Sequence, residues 1–208
     1  MAILVGLYSP DSQSGKSTAS AEISRVFQTE IIKVSGAMKA MCAAAIAPFV
    51  PEDELAQWVD GAYKDTIVGG LEPDCAQNPT VAAALAAACG APDAGETDPL
   101  PITDAQGEPL TRARIQADLI LAWGAALGTQ YIMRGGLTPR DLQRTLGLEF
   151  GRHLYGMDFW LRPLAARVAA STADVVIIDD IRFPEDGDFV RDRNAVSYTH
   201  LTLPTKRI

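Results

Sequence analysis

The sequence predicts an α/β fold in three layers, with a parallel sheet whose strands alternate with helices. Two apolar runs carry this prediction: residues 2–8 at the beginning of the chain and residues 174–180 near its end. The second run is apolar on both faces, as a buried central strand of a parallel sheet must be. A strand, a loop, a helix and a second strand open the chain in that order, which is typical of parallel sheets. With 208 residues the chain is long enough for one domain with a substantial core.

Local signals predict the elements in chain order. A strand over 2–8 leads into a helix over 16–27, and a second strand follows over 30–35. We expect further helices over 38–46, 51–58, 79–89, 112–127 and 138–154, and one that begins at 158. Thr138 and Pro139 supply the cap and the first helical residue of one of them. Residues 73–110 are rich in Ala, Pro, Gly and Asp, and we expect 73–134 to form an inserted or lid-like region of a domain over 1–195.

Composition excludes several classes of protein. The formal net charge of −8 argues against a general DNA or RNA binder, which would need a basic surface to neutralise phosphates. Cys42, Cys75 and Cys89 have no CxxC or Cys/His spacing, so we expect buried reduced thiols and neither a disulfide framework nor a zinc site. The chain begins without a secretory leader pattern and has no apolar run long enough to span a membrane. We therefore expect a soluble, cytoplasmic protein.

Residues 10–18, Pro-Asp-Ser-Gln-Ser-Gly-Lys-Ser-Thr, directly follow the first strand and predict a phosphate-binding loop. The residues expected around the phosphates are Ser12, Gln13, Ser14, Gly15, Lys16, Ser17 and Thr18. Backbone N–H groups turn inward on the anion, Lys16 adds a mobile positive charge, and Ser17 offers a hydroxyl to Mg²⁺. Pro10 stands where the motif has glycine, so the entry to the loop must be shaped differently. The alternative, a chance Gly-Lys-Ser in a surface turn, is disfavoured by the strand before it and the helix after it.

Asp179 and Asp180 end the last apolar strand, where a carboxylate can hold Mg²⁺ or its waters. Two residues further on, Arg182 could reach a phosphate. The alternative is that the acids only end a strand in solvent. Arg140 and Arg152 lie in the middle of the chain, the latter in a segment dense in glycine, aromatic and charged residues. Guanidinium groups suit phosphate oxygens, although a cluster of arginines is usually a solvated face.

Four blocks of sequence resemble the deoxynucleoside monophosphate kinases of tailed bacteriophages, a branch of the P-loop nucleotide kinases. The blocks are residues 6–18, Tyr63-Lys64-Asp65, residues 138–140 with 146–152 and 158–160, and residues 176–184. Residues 34–39 look like a looser version of the segment that faces the acceptor nucleotide in this family. Residues 73–134 have no counterpart that we recognise.

The resemblance implies a three-layer P-loop kinase fold that transfers the γ-phosphoryl group of ATP to a deoxynucleoside 5′-monophosphate, with ATP and Mg²⁺ as cofactors. It implies catalytic roles for Lys16, Arg152 and Arg182, substrate contacts from Ser35, Lys39, Arg140, Arg152, Asp158 and Trp160, and metal contacts from Ser17, Asp179 and Asp180. The implied partner is a small nucleotide, with no nucleic acid or membrane, and a homodimer is left open. The alternatives are a kinase of another small molecule, such as dephospho-coenzyme A, and a P-loop ATP-binding module that is not a kinase.

Residues 196–208 break with the family and look like a translated sequencing-adapter tail. On that interpretation the natural product was cut near residues 194–195, and the family's further C-terminal strands are missing. We then expect a truncated kinase with reduced or absent activity. The alternative is a real strand, because residues 196–203 carry β-branched and aromatic side chains in rough alternation.

Overall fold

The computed structural model describes residues 3–8, 16–193 and 196–198, and it confirms an α/β fold with a parallel sheet. The strands are β1 (Ile3–Tyr8), β2 (Thr29–Ile31), β3 (Val175–Ile181) and β4 (Val196–Tyr198). They pair in the order β2-β3-β1-β4, and each neighbouring pair is parallel. The segment that we interpreted as a tail thus contributes the short strand β4, whose Val196 lies opposite Val5.

Helices occupy most of the rest of the described chain. They are α1 (Lys16–Ser24), α2 (Gly36–Ile46), α3 (Leu55–Asp60), α4 (Pro79–Ala88), α5 (Arg112–Asp118), α6 (Gly124–Arg134), α7 (Pro139–Thr145), α8 (His153–Tyr155), α9 (Leu161–Ala170) and α10 (Pro184–Arg191). Short 3₁₀ turns at Ala47–Phe49, Glu52–Glu54 and Pro73–Gln77 accompany them. Wider, π-helical turns join α5 to α6 over Leu119–Trp123 and α7 to α8 over Leu146–Arg152.

One face of the sheet packs against α1. Leu7, Val175 and Ile177 form a buried cluster there, and Ala19 and Ile23 of α1 pack against it. Burying these aliphatic side chains is the main stabilisation of this layer, because the free energy gained follows the apolar area removed from water.

The opposite face of β1 packs against α10. A Cβ atom at Gly6 would lie 2.6 Å from Cδ1 of Ile181 and 3.1 Å from the side chain of Val190 in α10. Glycine at this position leaves room for the close approach of strand and helix. With α1 on one face and α10 on the other, the sheet lies between two helical layers, as expected.

The chain divides into two compact units. One comprises Met1–Val34 together with Arg167–Ile208 and contains the sheet, and the other is the helical unit Ser35–Ala166. Residues 73–134, which we expected to be an insertion, all belong to the helical unit. In the described part of the chain, no helix is long and apolar enough to cross a bilayer.

Several boundaries differ from the sequence prediction. The strand expected over 30–35 is shorter, since β2 ends at Ile31. The helix expected over 112–127 continues through a π-helical turn to Arg134, where Gly135 ends it in the left-handed conformation with φ 71°. The predicted start of α7 is confirmed: the side chain of Thr138 accepts a hydrogen bond from the backbone N–H of Asp141, and Pro139 is the first helical residue.

Candidate active site

The strand and the helix that flank the predicted phosphate loop have the expected arrangement. β1 ends at Tyr8, and α1 begins at Lys16, whose side chain is partly buried. Ser12, Gln13, Ser14 and Gly15, and also Pro10, lie outside the described residues, as does the side chain of Ser17. Thr18 lies exposed in the first turn of α1.

A β-bulge lies at the end of β3, where the two candidate metal acids stand. β1 and β3 pair directly, with Gly6 opposite Ile178 and Tyr8 opposite Ile181. Two residues of β3, Asp179 and Asp180, therefore oppose the single residue Leu7. Such bulges redirect side chains and are frequent beside active sites.

Asp179 belongs to the strand that packs against α1. Val175 and Ile177 of β3 belong to the cluster that packs against this helix, and Asp179 follows them at the bulge. The structure thus brings Lys16 and Asp179 into one unit, on the helix and the strand that pack together through this cluster.

Asp180 makes a different contact. Its Oδ1 accepts a hydrogen bond of 2.7 Å from the backbone N–H of Val34, the residue at which the chain leaves the sheet towards α2. Val34 is buried, so this acceptor satisfies a donor that has lost its water. No local pattern indicates this contact, because the two residues are 146 positions apart.

Arg182 follows β3 and has an exposed side chain. Its backbone N–H and that of Phe183 both donate to Oδ2 of Asp186, each at a distance of 3.0 Å. Asp186 is only 2% exposed, so a buried carboxylate holds the backbone at the entry to α10. We did not predict this role, although Pro184 followed by acids is a helix-start signal that could have indicated it.

In the helical unit, Arg140 forms an exposed ion pair with Asp65. Its Nη2 donates to Oδ2 of Asp65 over 3.1 Å, its Nε donates to Oδ1, and its backbone N–H donates to the carbonyl of Lys64 over 2.9 Å. The hydrogen bond from Arg140 is the largest influence that holds the pKa of Asp65 below its usual value. Two of the blocks that carry the resemblance are therefore in direct contact.

Lys39 lies in the first turn of α2. Its Nζ forms an ion pair of 2.6 Å with Oδ2 of Asp60, and its backbone N–H donates to the carbonyl of Ser35 over 2.9 Å. The ammonium group is thus held near the start of α2, where sequence analysis placed the acceptor-facing segment.

Arg152 ends the π-helical turn Leu146–Arg152 and is buried, with 7% of its surface exposed. Trp160 supports that turn, because its Nε1–H donates to the carbonyl of Gly147 over 3.1 Å. The indole also lies directly against Gly151, where an added Cβ would be 2.4 Å from Nε1. Single π-helical turns inside α-helices are rare and are often found at functional sites.

Asp158 and Trp160, both predicted to contact substrate, have partners inside the helical unit. Oδ1 of Asp158 accepts from Nη2 of Arg162 over 2.9 Å, and the same nitrogen lies 2.9 Å from the carbonyl of Tyr155. Trp160 is buried against Phe159, with the two ring centroids 5.0 Å apart at a steep angle. These contacts fix the chain that follows Arg152.

The candidate residues thus fall into two groups. The sheet-containing unit holds Lys16, Asp179, Asp180 and Arg182, and the helical unit holds Ser35, Lys39, Arg140, Arg152, Asp158 and Trp160. Among the residues that the structure describes, no three His, Cys, Asp or Glu side chains are grouped to hold a metal ion.

The cysteines take no part in either group. All three are free and buried, and burial is the largest cause that raises the pKa of Cys42, Cys75 and Cys89 to about 12. The expectation of buried reduced thiols is confirmed.

Comparison with known proteins agrees with the motifs. No family model matches the chain. The deoxynucleoside-5′-monophosphate kinase of Escherichia phage T5 is 36% identical to it over 67 residues, which are 32% of this chain and 27% of that kinase. Over those residues the chain is similar to a phage deoxynucleoside monophosphate kinase, which confirms the resemblance that its motifs indicated.

Proposed function

We propose that this protein transfers the γ-phosphoryl group of ATP to a deoxynucleoside 5′-monophosphate, producing the diphosphate. The observation that carries the proposal is the direct parallel pairing of β1 with β3. The strand that leads into the Lys16 loop and the strand that carries Asp179 near its carboxyl end therefore finish at the same edge of the sheet, where α/β proteins bind their ligands. The similarity to the phage T5 kinase supports the class of acceptor.

On the donor side, Lys16 and the N–H groups of residues 12–18 would hold the β- and γ-phosphates. The hydroxyl of Ser17 and the carboxylate of Asp179 are hard oxygen donors of the kind that Mg²⁺ prefers, so the residues fit the ion. When bound, Mg²⁺ supplies charge neutralisation at the phosphate oxygens. Arg182, exposed after β3, adds a further cation for the transferred group.

On the acceptor side, the nucleophile is a phosphate oxygen that is already anionic, so the reaction needs alignment and neutralisation more than a general base. Arg140, held by Asp65, and Arg152, held at the end of the π-helical turn, are the proposed phosphate contacts. Ser35 and Lys39 flank the start of α2 and complete the set. Asp158 and Trp160 support the chain around Arg152.

A coupled ADP-release assay with ATP, Mg²⁺ and each deoxynucleoside monophosphate tests this function. Lys16→Ala should lower acceptor-dependent release by about a hundredfold or more, because an electrostatic contact to the transferring group is lost. Arg25→Ala is the matched control: it also removes a cation, but one that is exposed after α1 and paired with Glu22 over 2.7 Å. An exposed pair contributes little, so this variant should retain the wild-type rate.

The acceptor panel also separates the alternatives. Release with a dephospho-coenzyme A acceptor and none with nucleotides would indicate a different small-molecule kinase. Release that is independent of any acceptor would indicate an ATPase module and would contradict the proposal.

A further inference from the structure

The end of β2 departs from the regular hydrogen-bond pattern of the sheet. Glu30 pairs with Val176 and Ile31 with Ile177, and the N–H of Ile32 donates to the carbonyl of Ile177 over 2.9 Å. In a regular parallel ladder the next donor on this side, the N–H of Val34, would reach the carbonyl two residues further along β3.

Instead, the side chain of Asp180 takes the place of that carbonyl. Its Oδ1 lies 2.7 Å from the N–H of Val34, the short distance expected when the acceptor is a carboxylate. The bulge explains how this happens, because Asp179 and Asp180 together occupy the space opposite Leu7 and the regular register is lost.

We propose that the two adjacent acids have different tasks: Asp179 is the carboxylate that serves the Mg²⁺–nucleotide, and Asp180 is a positioning residue that replaces a ladder carbonyl and holds Val34. The Asp179 half of this inference rests on the proposed function. The Asp180 half rests on the hydrogen bond and the bulge alone.

The two acids differ in their surroundings. Asp179 lies on β3, the strand that packs through Val175 and Ile177 against α1, the helix that begins at Lys16. Oδ1 of Asp180 already serves a buried peptide N–H, and removing a buried donor's acceptor is costly. Asp180 therefore fixes the point where the chain leaves the sheet for Ser35 and α2.

Asparagine separates a hydrogen-bond acceptor from a metal ligand. Its Oδ1 can accept the Val34 N–H as aspartate does, but it carries no negative charge for Mg²⁺. The informative set is Asp180→Asn, Asp180→Ala and Asp179→Asn, compared with the wild type in two measurements.

The first measurement is hydrogen exchange of the Val34 amide by NMR, in EDTA and without nucleotide. Asp180→Ala should accelerate this exchange by about tenfold or more, Asp180→Asn by much less, and Asp179→Asn not at all. An unchanged rate in Asp180→Ala would overturn the positioning role. If Asp180→Ala does not fold, Asp180→Asn still tests the proposal. The positioning role requires that Asp180→Asn bind nucleotide with the same Mg²⁺ dependence as the wild type.

The second measurement is the Mg²⁺ concentration that half-saturates binding of a fluorescent ATP analogue. Asp179→Asn should raise it by about tenfold, and Asp180→Asn should leave it close to the wild-type value. An equal rise in both variants would make Asp180 a metal ligand and contradict the division of tasks. A wild-type chain that does not bind the analogue would refute the proposed function, and the exchange rates would then decide the role of Asp180 by themselves.

Discussion

Replacing Gly151 with alanine should destabilise the protein by wedging a methyl group between the π-helical turn and Trp160. The added Cβ would lie 2.4 Å from Nε1, 2.6 Å from Cε2 and 2.7 Å from Cζ2 of the indole. Contacts below 3.0 Å essentially never occur for real Cβ atoms, so the ring or the backbone must move.

The ring cannot move without loss. It is held by its hydrogen bond to the carbonyl of Gly147 and by its packing against Phe159. Overpacking of a buried site costs about 1–3 kcal/mol, and loss of the indole hydrogen bond adds about 1 kcal/mol. The better helix propensity of alanine offsets up to about 1 kcal/mol of this cost, so the free energy of unfolding should fall by about 1–3 kcal/mol.

Gly128→Ala is the matched control. Gly128 lies in α6, and a Cβ there would have no atom within 4 Å. Because the space is open, this variant should gain about 0.5–1 kcal/mol from helix propensity alone. The two variants should therefore differ by about 1.5–4 kcal/mol in the free energy of unfolding.

Urea denaturation followed by far-UV circular dichroism measures this difference through the transition midpoints. Gly151→Ala should unfold at a lower urea concentration than the wild type, and Gly128→Ala at a higher one. A Gly151→Ala variant as stable as the wild type would refute the claim that the indole is locked against this turn.

Three further predictions concern single contacts. The carboxyl ¹³C signal of Asp65 should titrate at a pH below the ordinary aspartate range. The ion pair with Arg140 then persists as the pH falls through that range, and it is lost only when the pH falls through the lowered pKa of Asp65. Arg140→Gln should move the titration midpoint back up, and an unmoved midpoint would contradict the pairing. Burial raises the pKa values of the three cysteine thiols to about 12, so in the folded protein they should resist a disulfide reagent at pH values near 8 and react only in urea. Rapid labelling of the folded chain would argue against their burial. Asp141→Ala should lower the free energy of unfolding by about 1–2 kcal/mol in urea denaturation, because Oδ2 of Asp141 accepts a 2.7 Å hydrogen bond from Oγ1 of Thr138 at the buried start of α7. Asp141→Asn should lose less stability, because its side-chain oxygen can still accept. An equal loss in the two variants would contradict the role of that oxygen as an acceptor.

The sequence predicted the sheet because its signals are local. The apolar runs at β1 and β3 are continuous, and turn or helix signals bound them. The start of α7 was also readable, since a cap and a proline stand side by side at Thr138 and Pro139. These features depend on neighbouring residues, which a single sequence displays directly.

Other features depend on residues that are distant in the chain. The partner of Arg140 is 75 positions away, and the donor to Asp180 is 146 positions away. β2 ends at Ile31, and the N–H of Val34 bonds to the Asp180 side chain, which no pattern within residues 29–35 could show. The π-helical turns over Leu119–Trp123 and Leu146–Arg152 were not predicted, because their period is close to that of an α-helix.

The measurement that tests the central claim most directly is transfer of label from [γ-³²P]ATP to a deoxynucleoside monophosphate, with the products separated by chromatography. We expect label in the deoxynucleoside diphosphate, lost in Lys16→Ala and Asp179→Asn and retained in Arg25→Ala. Label that appears only as inorganic phosphate, or transfer that survives in Lys16→Ala, would contradict it.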